Sequence, residues 1–315
     1  MSFRLKETDC ETLKCIADCR MLTVTQLAAI FGRSVDVVGR RMHDLEKQGL
    51  VEVVSHEYGR GRGRPEKSLG VTRRGVDILR GKGLIDPAVP YENVVTEAFF
   101  GADHQLLLNW CRIHLMQIGK VLPRLSVQFL AANSPCLPRG PDGPVSITCC
   151  TPMPGRGIKE VRFTPDAVFV TCDSVEARAC LFFLEVDCGT ETMASARRDM
   201  TDIRQKIIRY QEYFRSQRYK YYEAVFHCSL RGFRLLFLTH SLGRLTALCQ
   251  LVQEMPPSDF IWLTECSRLF PEGVSAKIWA RGGDLQGPPQ SILGSLYFRA
   301  PVPQLCTSKF SRITP

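Results

Sequence analysis

One run constrains this chain more than any other. Leu181-Phe182-Phe183-Leu184-Glu185-Val186-Asp187 is apolar at every position until Glu185. Its length and flanks predict a central strand buried on both faces. Side chains alternate along a strand, so Phe183, Glu185 and Asp187 share one face. A buried carboxylate carries a desolvation cost that something must offset. The preceding run, about Arg162 to Thr171, predicts a second strand, and Asp173 to Arg178 supplies the turn between them. A hairpin centred there sets Cys172 opposite Ala179, Val168 opposite Phe183 and Asp166 opposite Glu185. Directly opposed side chains lie about 5 Å apart at Cβ. Asp166, Glu185 and Asp187 are therefore expected to converge. A divalent cation with hard oxygen ligands would turn their repulsion into binding, and Mg²⁺ is the natural candidate. The other reading is a structural ion pair, for which Arg197, Arg198, Arg204 and Lys206 are available.

The surrounding pattern alternates strands and helices. A long helix is predicted over about Glu97 to Ile118 and a strand over Leu125 to Ala131. Residues 134–157 are dense in Pro and Gly and predict a surface loop. After the hairpin, a helix over about Ala194 to Gln217 carries Met200, Ile203, Ile207, Tyr210 and Phe214 on its core stripe. Lys206 flanks that stripe, where it either reaches the carboxylates and serves a developing anionic charge or stands as a solvated helix lysine. Strand Phe233–Thr239, helix Gly243–Glu254 and strand Phe260–Thr264 close this domain, assigned to residues 97–282. Residues 283–315, with Pro288, Pro289, Pro301 and Pro303, predict a poorly ordered tail.

The first 83 residues read differently. A helix over residues 7–20 is followed by Thr23 and Gln26 at capping-box spacing, then Gly32 as a helix stop. Ser34 caps a third helix that runs to Gln48, with Gly49 after it. Two short strand-like runs, Leu50–Ser55 and Ser68–Thr72, flank a stretch rich in Gly and Arg. Helix, helix, turn, helix and a two-stranded wing is the order of a winged helix-turn-helix, here residues 1–83, with 84–96 as a linker. In the third helix Val35, Val38, Met42 and Leu45 form the core stripe. The other face offers Asp36, Gly39, Arg40 and His43, entered through Arg33 and Ser34. Arginine can grip guanine in the major groove, and a helix N-terminus can hold a phosphate. The wing adds Arg60, Arg62, Arg64 and Lys67, in a segment whose Gly spacing suits the minor groove or the adjoining phosphates. Of the chain's formal charge of +9, much is concentrated here, with eight Lys or Arg between Arg60 and Lys82 against Glu66 and Asp77. A concentrated basic stretch reads as a contact for double-stranded DNA, against the plainer reading of a solvated loop used for protein contacts.

The 14 cysteines lie mostly in apolar runs and form no CxxC pair, which predicts reduced, buried thiols in a cytoplasmic protein. No apolar run approaches the ~18 residues that span a bilayer, so no membrane partner is expected. A homodimer is left open.

Pro165-Asp166 followed by Glu185-x-Asp187 in a hairpin before a helix resembles the PD-(D/E)XK nuclease superfamily, with Asp187 where that pattern usually has Lys. More narrowly, the chain resembles the bacterial replication-relaxation family. The motifs that carry this are the wing Arg60–Pro65, Thr72-Arg73-Arg74-Gly75, His104 with Asn109, Pro165-Asp166-Ala167, and Leu184-Glu185-Val186-Asp187 with Gly189-Thr190-Glu191. Lys206 followed by Tyr210 completes the set. The resemblance implies an α+β chain in which a winged helix-turn-helix precedes an α/β restriction-endonuclease-like domain. It also implies a plasmid or other mobile element, and a role in DNA replication, relaxation or mobilisation. It makes Asp166, Glu185, Asp187 and Lys206 the candidate catalytic set, the first three as metal ligands, with Lys206 standing in for the missing motif lysine. His104 and Asn109 by themselves read as satisfied boundary polar groups. The competing functions are an active Mg²⁺-dependent endonuclease and a transcriptional regulator whose second domain senses a ligand or mediates dimerisation.

Overall fold

In a computed structural model, the residues described are 3–58, 66–95, 101–132, 134–135, 137, 139–140, 143–152, 160–193 and 202–300. The wing arginines Arg60, Arg62 and Arg64, the alternative cations Arg197 and Arg198, and Met200 lie outside them.

The chain begins with α1 (Glu7–Cys19), a two-residue β1 (Leu22–Thr23), α2 (Val24–Phe31) and α3 (Val35–Lys47). The expected caps are present. Thr23 and Gln26 bond reciprocally across the first turn of α2, Gly32 closes α2 in the left-handed conformation, and Ser34 caps α3. β2 (Val51–Tyr58) and β3 (Glu66–Val71) follow, and the three strands form an antiparallel sheet in the order β1-β3-β2. On α3, Val38, Met42 and Leu45 are buried while Val35 is only half-buried. α4 (Arg73–Gly81) leaves this sheet through Thr72, which caps it and also donates to the Gly49 carbonyl. Gly75 is required there, because a Cβ would sit 2.4 Å from the Leu50 carbonyl oxygen.

Residues 84–95, expected as a linker, instead pack onto this first unit. Ile85, Val89 and Val94 are buried in its core, and α5 (Tyr91–Val94) is held by the Arg80 guanidinium stacked 3.9 Å over the Tyr91 ring. The Pro-rich spacing hid three apolar residues with a core to join.

α6 (Ala102–Val121) then runs under the main sheet. That sheet is mixed and six-stranded, ordered β13-β12-β11-β10-β9-β4. β4 is Leu125–Ala131, β9 Ala167–Asp173, β10 Arg178–Asp187, β11 Phe233–Thr239, β12 Ile261–Glu265 and β13 Ala280–Arg281. β9 runs antiparallel to both of its neighbours, β4 and β10, and β10, β11 and β12 are parallel. The hairpin register is the one the sequence predicts, with Cys172 opposite Ala179 and Val168 opposite Phe183. Before it, the single run expected over 162–171 is split by Thr164-Pro165-Asp166 into β8 (Glu160–Phe163) and β9. Pro165 cannot donate to a ladder, which explains the break. Part of the 134–157 segment is also more ordered than a surface loop. Besides β5 (Arg139–Gly140) and β6 (Gly143–Pro144), β7 (Cys149–Pro152) pairs with β8, and Ile147 and Cys149 are buried.

Both faces of the sheet are covered. Leu181 and Phe183 point toward α7 (Ile203–Arg215), α8 (Tyr221–Phe226) and α9 (Leu242–Gln253). Phe182, Leu184 and Val186 point toward α6 and α10 (Cys266–Glu272). Residues 283–300 close the second face rather than forming a loose tail. Gln290 bridges Trp279, Ile292 is buried, and the Ala300 amide donates to the Glu272 carbonyl.

The first unit is stitched to α6 by buried amides. Gln26 donates to the Leu106 carbonyl, Gln105 to that of Cys19, and Asn109 to those of Cys19 and Met21. None of the helices among the described residues is long and apolar enough to cross a membrane.

Candidate functional site

The C-terminal end of β10 gathers four elements around its carboxylates. Glu185 continues the Phe183 face and is 2% exposed. Its Oε2 accepts from Lys206 Nζ of α7 at 2.9 Å, and its Oε1 accepts from the Tyr210 hydroxyl one helical turn further on. Lys206 also reaches Glu191 Oε1 at 3.0 Å. Burial pushes the Glu185 carboxyl up to about 7, against the opposing pull of Lys206 and Tyr210. Burial works against the Lys206 charge, but Glu185 and Glu191 outweigh it and raise its pKa.

Asp166 sits on the turn before β9. Its Oδ2 accepts from the Val186 backbone N–H at 2.7 Å and lies 3.1 Å from His104 Nε2. Desolvation disfavours the His104 charge, yet the Asp166 hydrogen bond and charge prevail and raise the imidazole above its ordinary value. Asp187, 5% exposed, is gripped by Arg244 of α9 through Nε on Oδ2 and Nη2 on Oδ1, the latter at 3.3 Å. Its Oδ1 also accepts from the Gly189 amide at 2.9 Å. Gly189 has φ +80° and lies against His240, so a side chain there would meet the imidazole.

The structure therefore brings Asp166, Glu185 and Lys206 to one place, and sets Asp187 beside them with a partner of its own. Glu185 and Asp187 share the α7/α9 face, whereas Asp166 approaches at the strand edge and turns to α6. This arrangement does not fit the hard, oxygen-rich shell of Mg²⁺, because each carboxylate already has a nitrogen donor aimed at it. Among the described residues no group of three His, Cys, Asp or Glu is arranged to hold a metal ion. Sequence reasoning gave His104 a marginal place, put Tyr210 on the core stripe and in the family motif without a bonding role, and missed Arg244. A signal for Arg244 existed: it is the one charged residue in the helix Leu242–Gln253.

The second candidate surface is the outer face of α3. Arg33, Ser34, Asp36, Arg40 and His43 are all exposed, and Lys67 on β3 is half-buried. The Arg40 Nε donates to the Asp36 carbonyl at 3.4 Å, and His43 lies 3.8 Å from Glu46. Neither Arg33 nor Arg40 forms an ion pair among the described residues. Arg41 is spent differently. It binds the buried Asp9 carboxylate and stacks 4.9 Å over the Phe3 ring, locking α3 to α1. A hollow of about 360 Å³ opens between these two helices, with Lys6, Arg33 and Arg40 among its lining residues. Gly39 is half-buried and faces α2, where an added Cβ would sit 3.7 Å from Val24 Cγ1, an ordinary contact.

A family model described as replication-relaxation matches residues 13–227. The chain belongs to the replication-relaxation family. The matched span holds both α3 and the Asp166, Glu185 and Lys206 constellation, while Arg244 lies beyond it. Comparison of this family member with curated proteins and with solved structures gave no match.

Proposed function

We propose that this member of the replication-relaxation family is a binder of double-stranded DNA, working in the replication, relaxation or mobilisation of a plasmid or other mobile element. Its first unit is read as a winged helix-turn-helix with α3 as the recognition helix. Its main sheet is read as a restriction-endonuclease-like scaffold that carries out no cleavage. The observation that supports this best is the outer face of α3, where Arg33, just before the capped N-terminus, and Arg40, in the first half of the helix, stand exposed without a carboxylate partner among the described residues. Arginines held that way are available for base edges and phosphates. In the sequence, Arg60, Arg62, Arg64 and Lys67 add four cations to the same N-terminal unit.

The test is fluorescence anisotropy on duplex DNA over a range of salt. Each phosphate contact adds about 0.9 to the slope of log affinity against log salt. Arg62→Ala with Arg64→Ala is expected to weaken binding to all sequences equally and to flatten that slope by up to about 2. Arg40→Ala is expected to relax sequence preference, by about 1–3 kcal/mol at one base position. A wild-type protein that binds no duplex would sink the reading. Nicking of plasmid DNA in Mg²⁺ but not in EDTA would move the chain to the endonuclease class.

A further inference from the structure

We infer that the carboxylate cluster at the end of β10 is closed by basic side chains of the chain itself, His104, Lys206 and Arg244, and takes up no divalent metal ion. The pairing is one to one. His104 of α6 faces Asp166 at 3.1 Å, Lys206 of α7 faces Glu185 at 2.9 Å, and Arg244 of α9 holds Asp187 with two nitrogens. Three helices on both sides of the sheet thus each send one basic group to the same strand end.

Each carboxylate also accepts from a second protein donor. The Tyr210 hydroxyl takes the second oxygen of Glu185, the Val186 amide takes Asp166, and the Gly189 amide takes Asp187. A divalent ion would have to displace Lys206 from Glu185, leaving it only the exposed Glu191 carboxylate, or Arg244 from Asp187, leaving that guanidinium only the Glu191 carbonyl. Stranding a buried charge is strongly unfavourable, whereas an exposed acidic cluster would gain by recruiting a metal. Arg244 matters most here. Where the nuclease pattern has a lysine the chain has Asp187, and the guanidinium returns a positive charge to that position from a neighbouring helix. Arg244 also donates to the Glu191 carbonyl, while Lys206 binds the Glu191 side chain. Glu191 therefore ties the two cations together. The cluster pins the hairpin to α6, α7 and α9, which is a structural role. The inference concerns the part of the proposal that calls the main sheet a scaffold, and its test involves no DNA. A failure to bind DNA therefore leaves it standing.

The experiment is thermal unfolding of the full chain after chelator treatment, with and without millimolar Mn²⁺ or Mg²⁺, together with calorimetric titration of Mn²⁺ into the wild type. No metal-induced rise in Tm and no saturable heat are expected. Glu185→Gln should lower the metal-free Tm by about 10 °C, because Lys206 loses its buried partner. Glu185→Gln combined with Lys206→Met should recover most of that loss. A rise in wild-type Tm with Mn²⁺, or one bound Mn²⁺ per chain, overturns the inference. So does a Glu185→Gln protein as stable as the wild type without metal. If Glu185→Gln fails to fold, the wild-type titration still decides, and Arg244→Lys supplies a milder perturbation expected to lower the Tm without creating a metal response.

Discussion

His114 offers a sharp test of how α6 is buried. It lies on that helix, 2% exposed, against the Phe270 ring at 6.3 Å, and its Nε2 has no hydrogen-bond partner among the described residues. Desolvation pushes its pKa from 6.5 down to about 4, only partly offset by the Ala300 backbone. The native state therefore holds the imidazole neutral, while the unfolded chain takes up a proton below pH 6.5. Because the folded pKa is the lower of the two, stability is fully present above pH 6.5 and drains away as pH falls toward 4. The full shift of about 2.5 units corresponds to about 3 kcal/mol, of which about 2 is lost by pH 5. Urea unfolding of the wild type and of His114→Gln at several values between pH 7.5 and 4.5 isolates this term. The wild type should lose about 2 kcal/mol more than the variant between pH 7.5 and 5. Parallel pH dependences for the two proteins would refute the reasoning, because His114 would then be solvated or paired in the native state.

Other consequences are as direct. Asn109→Leu removes the side-chain donor to the Met21 carbonyl and one of those to Cys19, and should cost about 2–3 kcal/mol in denaturant unfolding. An unchanged midpoint would mean that the two units are not held by this amide. Gly75→Ala places a methyl 2.4 Å from the Leu50 carbonyl oxygen and 2.6 Å from Val71 Cγ1, and should lower the Tm by several degrees. Wild-type stability in a melting curve would show that α4 can shift away at no cost.

Much of the framework was legible because it is local. Thr23 with Gln26, and Ser34, announce helix starts through hydrogen bonds that span three residues, and both caps form as read. The alternation in Leu181–Asp187 fixes which residues face which layer, and a short turn fixes the register, so Asp166 and Glu185 could be placed together before any fold was known. Lys206 was legible for the same reason, one position from a core residue on the next helix. The linker expected over 84–96 and the poorly ordered tail expected over 283–315 were misread over their described residues, 84–95 and 283–300, because their proline content was taken as a sign that they join no core. Ile85, Val94 and Ile292 are ordered only by cores built from distant residues.

What the sequence by itself determined is the set of charges near the end of β10. Periodicity and strand alternation oblige Glu185 and Asp187 to share a face, whatever lies opposite. What only the tertiary structure decided is how those charges are answered. His104 and Arg244 stand 62 and 57 residues from Asp166 and Asp187, and no local rule links them. Whether a carboxylate meets a metal ion or a guanidinium depends on which helix packs above it. That is settled by the burial of Leu245, Leu248 and Val252 on α9, not by the acidic residues themselves. The apolar face of the helix sets its position on the sheet, and the position carries Arg244 to Asp187.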